Sequence, residues 1–336
     1  MAYRFKLDES FEKGFRRIAR EQIDRALSEL SSLEVGPASV HESRKAIKRL
    51  RALVRLAAPA IGEKAAARRN ASLRKIAHML ATRRDEAVLY ETMAKFDLTL
   101  GTGAKEALAH LRGHPTARAS DPPRPLEAEA AQQARLLLVK EAKRFARIKF
   151  KARGFDAVSH GLDASYRSGR RALKAAYHKP SDEAFHELRK TVQTHWRQMS
   201  LLSRAWPETF EARVSAAREI SQFLGDDHDL AILHQAAKSA VGLPQASLDA
   251  IERACRAQQG RLRSSAEFRI ARLFAEAPGA FCRRIERYWL AGRQIRPLVA
   301  PKVDPLSLVP IAAAPVETPN AIASKAPAVA PSQRRA

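Results

Sequence analysis

Apolar residues recur every three to four positions along nearly the whole chain, and alternating runs of β-branched residues are almost absent. That periodicity predicts helices and an all-α fold. In the first half the spacing predicts helices over about 9–33, 39–59, 63–96 and 104–112. In the second half it predicts them over about 127–152, 155–177, 182–205, 209–239, 246–264 and 279–292. Ser39, with Glu42 three residues on, reads as a capping box that starts the second helix and puts His41 in its first turn. Pro180-Ser181-Asp182 reads as another helix start. The stretch 113–126 contains Pro122-Pro123 and breaks the helical pattern. It divides the chain into a first helical repeat, 1–112, and a second, 127–292. Residues 293–336 are Pro/Ala/Val-rich without periodicity, so this tail is expected to be disordered.

The division into repeats is supported by a phrase that occurs twice. His-Glu-Ser-Arg-Lys begins at His41 and His-Glu-Leu-Arg-Lys begins at His186, and the second copy leads to Asp229 as the first leads to Asp85. The spacing from His to Asp is 44 residues in the first copy and 43 in the second, as expected of a duplicated architecture. At about 100° per residue, His41, Arg44, Lys45, Lys48 and Arg55 share one helical face, with Arg51 beside it. In the second copy His186, Arg189, Lys190, Arg197 and Arg204 do the same. Further basic stripes include Arg17 in the first helix and Lys140, Arg144, Arg147 and Lys151 at i, i+4, i+7, i+11. Arg170 and Lys174 belong to another.

Charge sharpens the picture. Lys and Arg number 60 against 36 Asp and Glu, a net charge of +24. Solvated helix faces normally mix signs in i,i+4 pairs, whereas these stripes are nearly single-signed and repel themselves unless an anion offsets the repulsion. Phosphate suits the residue types: Arg offers a planar fork, Lys a mobile point charge, protonated His two donors, and helix N-termini add free N–H groups. Base readout would call for aromatic platforms among the arginines, and aromatic residues make up only 6% of the chain. A featureless polyanion therefore fits better than nucleic acid, although non-specific nucleic-acid binding by an architectural protein is a rival reading.

Other chemistry has less support. Cys255 and Cys282 are too few for a disulfide framework or a zinc site. Asp226-Asp227-His228-Asp229 invites a metal-dependent phosphohydrolase reading, but no further His and Asp spacing converges on it. Asp85 and Asp229 are better taken as carboxylates that hold basic side chains in place. His195 falls on an apolar face and reads as a core histidine. No cofactor, metal site, catalytic set, signal peptide or membrane span is expected, and the simplest location is the cytoplasm.

The assembled residues resemble the CHAD domain, the conserved histidine α-helical domain. The resemblance rests on HESRKAIKRLR from His41 to Arg51, HELRKTVQTHWR from His186 to Arg197, and FLGDDHDLAIL from Phe223 to Leu233. It covers about residues 5–290. It implies two pseudo-symmetric four-helix bundles with a basic surface or pore that binds inorganic polyphosphate, and association with polyphosphate granules. By position, His41, Arg44, Lys45, Lys48 and Arg51 would contact phosphate in the first copy, and His186, Arg189 and Lys190 in the second. Gln193 and Trp196 depart from the family pattern, which implies weaker contact there or reliance on neighbours such as Arg197.

Overall fold

The apolar periodicity resolves, in a computed structural model, into helices whose buried faces meet in two cores. Described are residues 3–32, 35–80, 92–95, 102–113, 128–240 and 242–294. Among them no β-strand occurs, and ten α-helices have defined ends. These are α1 (Phe11–Glu29), α2 (Pro37–Ile61), α3 (Glu63–Met79), α4 (Thr102–Gly113) and α5 (Ala128–Ala146). After them come α6 (Asp156–His178), α7 (Asp182–Leu202), α8 (Pro207–Ser239), α9 (Gln245–Leu273) and α10 (Pro278–Gln294). The tail beyond residue 295 lies outside the described residues, and so does the expectation of its disorder.

Several ends differ from the sequence expectation, the furthest being that of α3, at Met79 where 96 was expected. Helix α2 starts at Pro37 after Gly36, with no side-chain cap. Proline suits the first helical position because its missing N–H has no partner there anyway. Ser39 therefore lies inside the helix, and His41 stands beyond the first turn. Helix α5 ends at Ala146, not 152, and residues 147–153 leave it as an irregular strap. Helix α9 runs on past Ser264-Ser265 to Leu273, because Ala266, Ile270 and Leu273 continue its buried face at helical spacing. The start at Asp182 agrees with expectation: the Ser181 hydroxyl accepts from the Ala184 N–H at 3.1 Å.

Of the expected linker, 114–126 lies outside the described residues; helices from both sides of it share one core. Phe11 of α1 lies 4.8 Å from Trp289 of α10, and Phe15 lies 5.7 Å from Phe145 of α5, ring centre to ring centre. Helices α2 and α6 cross so closely at Gly161 that a Cβ there would stand 2.0 Å from the Leu56 carbonyl oxygen. The main core thus mixes both halves, and Met1–Ile295 forms one compact unit. A smaller core joins Leu108 and Leu111 of α4 to Leu230 and Leu233 of α8 and Ile251 and Cys255 of α9.

Helix α8 serves both cores. Its first half buries Phe210, Val214, Ala217, Ile220 and Leu224 in the main core, and its second half buries Leu230, Leu233 and Ala237 in the smaller one. The Gly225–Asp229 segment sits at the change-over. There Arg263 of α9 donates to Asp227 at 2.6 Å and to Asp182 at 2.7 Å. Gln259 donates to Asp182 and to the Asp227 carbonyl, both at 3.1 Å. The Arg263 guanidinium also lies 4.2 Å above the Phe185 ring. This network ties the first turn of α7 to α8 and α9, one turn before His186.

Candidate functional site: a cationic groove

Two helical rows of cations face each other across a cavity of about 290 Å³. Helix α2 supplies Arg44, Lys48, Arg51 and Arg55. At i, i+4, i+7 and i+11 they form one stripe about 16 Å long, given a rise of about 1.5 Å per residue. Helix α7 supplies His186, Arg189, Lys190, Gln193, Thr194 and Arg197, and α8 closes the floor with His228, Asp229 and Ile232. Arg55 reaches across to donate to the Thr194 hydroxyl at 2.7 Å, while Arg51 is among the cations acting on Arg197. The two rows therefore run in opposite directions.

The cations are held in place from behind. Arg44 donates to the Ala77 carbonyl of α3 at 3.0 Å. Arg197 donates to the Gln193 carbonyl at 2.7 Å and lies 4.2 Å above the Trp196 ring. Arg189 rests against Gly225, where a Cβ would come within 3.1 Å of its Nη2. The His186 and His228 rings stack 4.2 Å apart at 28°. Trp196 thus serves as the aromatic platform for Arg197, while Gln193 lines the groove and gives Arg197 only a backbone carbonyl, which any residue there would offer.

Burial, with crowding of like charge beside it, sets the protonation of the groove. Burial, then the proximity of Arg55 and Arg74, brings Arg51 down to about 10. Burial also brings Arg197 down to about 10, with Arg49, Arg218 and Arg51 adding to the effect. Burial and Arg74 lower Arg55 as well. His186 is lowered by burial and by Lys190 and Arg189. His228 falls to about 4 through burial, His186, Arg189 and Lys190. Both histidines titrate below the ordinary value near 6.5 and so are uncharged at pH 7. An anion in the groove would favour the charged forms and so oppose all of these shifts.

The CHAD domain family model matches residues 17–238. This chain belongs to the CHAD domain family. No curated protein sequence matches it. The CHAD match takes in α2, α7 and α8, the three helices that line the groove, while α9 and α10 lie beyond it.

Of the residues singled out in this CHAD chain by sequence, Arg44, Lys48, Arg51, His186, Arg189, Lys190, Arg197 and Asp229 line the groove. The others lie elsewhere. His41 is exposed outside the lining, and Lys45 pairs with Glu42 at 3.0 Å, as Arg25 does at 2.9 Å. Arg17 is bound by Glu9, by Glu21 and by the Arg4 carbonyl, an arrangement that fixes the N-terminal segment to α1. Arg144 pairs with Glu141 at 2.7 Å, and Arg170 donates to the carbonyls of Ala275 and Glu276. Lys140, Arg147 and Lys174 are exposed on or just beyond α5 and α6. Asp85 lies outside the described residues. Sequence reasoning put Arg55 on the α2 stripe without counting it among the phosphate contacts, and met His228 only within the Asp226–Asp229 run; both line the groove.

His195 is the core histidine expected: it is buried and accepts from Arg213 Nε at 2.9 Å, and burial holds its pKa well below the usual value. The Asp226–Asp229 run is divided among several tasks, with Asp226 pairing with Lys95, Asp227 with Arg263, and Asp229 lining the groove. Among the described residues no three His, Cys, Asp or Glu side chains are grouped to hold a metal ion. Nor is any helix among them long and apolar enough to cross a membrane.

Proposed function

We propose that the protein binds inorganic polyphosphate in the groove between α2, α7 and α8, without hydrolysing it, in the cytoplasm at polyphosphate granules. The reading is carried by the two opposed rows of Arg, Lys and His, which face one cavity and have a single carboxylate, Asp229, in its lining. Arg forks engage phosphate oxygens bidentately, and Lys48 and Lys190 add adaptable point charges. No Phe, Tyr or Trp side chain lines the groove, so a nucleic acid would find cations but none of the large aromatic platforms on which bases stack best. Contacts spread evenly along a chain stabilise its bound ground state rather than the transition state of one scissile linkage, which favours holding over cleavage. The two copies of the phrase, on helices that face the same groove, also support a description of the fold as two pseudo-symmetric four-helix bundles meeting there.

The test is titration with polyphosphate at physiological salt, alongside an Arg51→Gln, Arg197→Gln double variant and single-stranded DNA as competitor. The expected result is tight binding, lost in the variant, steeply weakened by added salt as counterion release requires, and poorly displaced by DNA. No orthophosphate should appear over hours with magnesium present. Binding that survives the double substitution, or DNA displacing polyphosphate at equal phosphate concentration, overturns the assignment.

A further inference from the structure

The seven residues after α5 carry a second ordered row of cations. From Arg147 to Arg153 exposure alternates: Arg147, Lys149, Lys151 and Arg153 are exposed, whereas Ile148, Phe150 and Ala152 are partly buried against the main core. A period of two is that of extended chain, which spaces alternate side chains by roughly 7 Å; here the strap bends once, at Lys151. It is firmly attached. The Phe150 ring meets Phe15 at 5.3 Å, the Ile148 carbonyl accepts from Arg16 Nε at 2.9 Å, and the Phe150 N–H donates to Glu12 at 2.7 Å. The Lys151 N–H donates to the Ala60 carbonyl at 2.9 Å.

Two carboxylates on the supporting helices are already engaged, Glu12 by Arg16 and Glu141 by Arg69 and Arg144. Among the described residues none of the four strap cations pairs with a carboxylate. Self-repelling cations fixed in a row by apolar anchors have their ordering already met by the fold, which favours a linear anion. The exposed cations Lys140 and Lys143 of α5 extend the row, two turns and one turn before Arg147 respectively. Phe150, the only aromatic ring of the strap, faces the core, so nothing there offers a base a surface on which to stack.

We propose that this strap is a second contact line for polyphosphate, so that one molecule holds two chain segments, one in the groove and one on the strap. The proposal rests on the polyphosphate reading of the groove. The two lines are distinct: Ala60, which anchors Lys151, lies five residues beyond Arg55, about 7 Å along α2 and about 140° around it. A chain long enough to engage both gains from effective concentration, and a short chain does not.

The experiment compares tripolyphosphate with long-chain polyphosphate on the full chain carrying Arg147→Gln, Lys149→Gln, Lys151→Gln and Arg153→Gln. Tripolyphosphate affinity should be unchanged. Long-chain affinity should fall at least about tenfold, and the slope of log affinity against log salt should shrink by about 3, at roughly 0.7 for each of the four charges. A milder Lys149→Gln, Lys151→Gln variant should give half that change in slope, which guards against a folding defect. A control with Lys238→Gln, Arg253→Gln, Arg261→Gln and Arg293→Gln removes the same charge from exposed positions elsewhere. If the control weakens long-chain binding as much, or the strap variant keeps the wild-type slope, the proposal is overturned. Loss of DNA binding alone in the strap variant overturns it too, in favour of a nucleic-acid surface. The groove reading fails separately, if Arg51→Gln with Arg197→Gln leaves tripolyphosphate binding intact.

Discussion

The same phrase, His-Glu-x-Arg-Lys, is used differently on α2 and α7. On α7, His186, Arg189 and Lys190 all line the groove, His186 is stacked on His228, and α8 supports the whole row. On α2, His41 is exposed and Lys45 lies outside the lining; Lys45 and Lys190 each pair with the glutamate three residues before, but only Lys190 also lines the groove, which on α2 takes Arg44 and the residues after the phrase, Lys48, Arg51 and Arg55. The difference comes from what packs behind each helix. Asp182, Asp227 and Arg263 fasten the first turn of α7 to α8 and α9, so its opening residues are held at the cavity. A repeated motif therefore states which side chains are available, and the neighbouring helices decide which of them share a site.

The sharpest way to break the comparison is at that fastening. Asp227 is buried, and burial raises its pKa against the opposing pull of Arg263. Asp227→Ala leaves the partly buried Arg263 with Asp182 as its remaining carboxylate and should cost about 1–3 kcal/mol of stability, read by chemical denaturation. The loss should weaken the α7 row more than the α2 row, seen as faster amide exchange around His186 than around Arg51. A second variant tests the groove itself. Arg51→Gln and Arg197→Gln should each lower polyphosphate affinity about ten- to hundredfold, the loss of one or two charge-assisted contacts. His41→Ala with Lys45→Ala should change affinity less than about threefold, on the scale of exposed ion pairs. Equal losses in the two sets would mean that both copies of the phrase reach the ligand alike.

Much of the fold could be read from the sequence because its cause is local. The 3.6-residue period of Phe11, Phe15 and Ile18, or of Phe210, Val214 and Ala217, sets a helix and its buried face without knowledge of the partner. The ends were harder. Ile148 and Phe150 extend an apparently helical apolar pattern, yet they anchor an irregular strap, since both periods can place two apolar residues close together. The Gly36-Pro37 start prevailed over the Ser39 capping pattern, because proline preset the first turn. The cations of the site were legible as stripes, but not which stripes would meet. Arg17 and Arg170 look like Arg51 on a helical wheel; only tertiary packing gives Arg17 to Glu9 and Glu21, and Arg51 to a cavity shared with a helix more than 130 residues away.

The paired histidines distinguish the two copies further by pH. Uncharged at pH 7, His186 and His228 should take up protons when a polyanion binds, since its charge favours their cationic forms. Binding should therefore tighten as pH falls from 7 toward 5, by up to about tenfold per pH unit for each histidine that titrates. His186→Gln should flatten that dependence and His41→Ala should leave it unchanged, as read by titration in buffers of different ionisation enthalpy.

Without ligand the sign reverses, and the effect is smallest. His228 titrates at about 4 when folded and near 6.5 when unfolded, so between these values the unfolded chain binds more protons. The stability contributed by the neutral ring is complete above pH 6.5 and is lost as pH falls toward 4; buried His195 acts in the same direction. The ligand-free protein should thus lose a few degrees of melting temperature between pH 6.5 and 4, and His228→Gln should recover part of that loss. Saturating polyphosphate should reverse the trend, with the melting temperature rising as pH falls from 7 toward 5. A ligand-free melting temperature that is flat across this window would mean that the His186–His228 stack is open to water, and the pH contrast between the two copies would go with it.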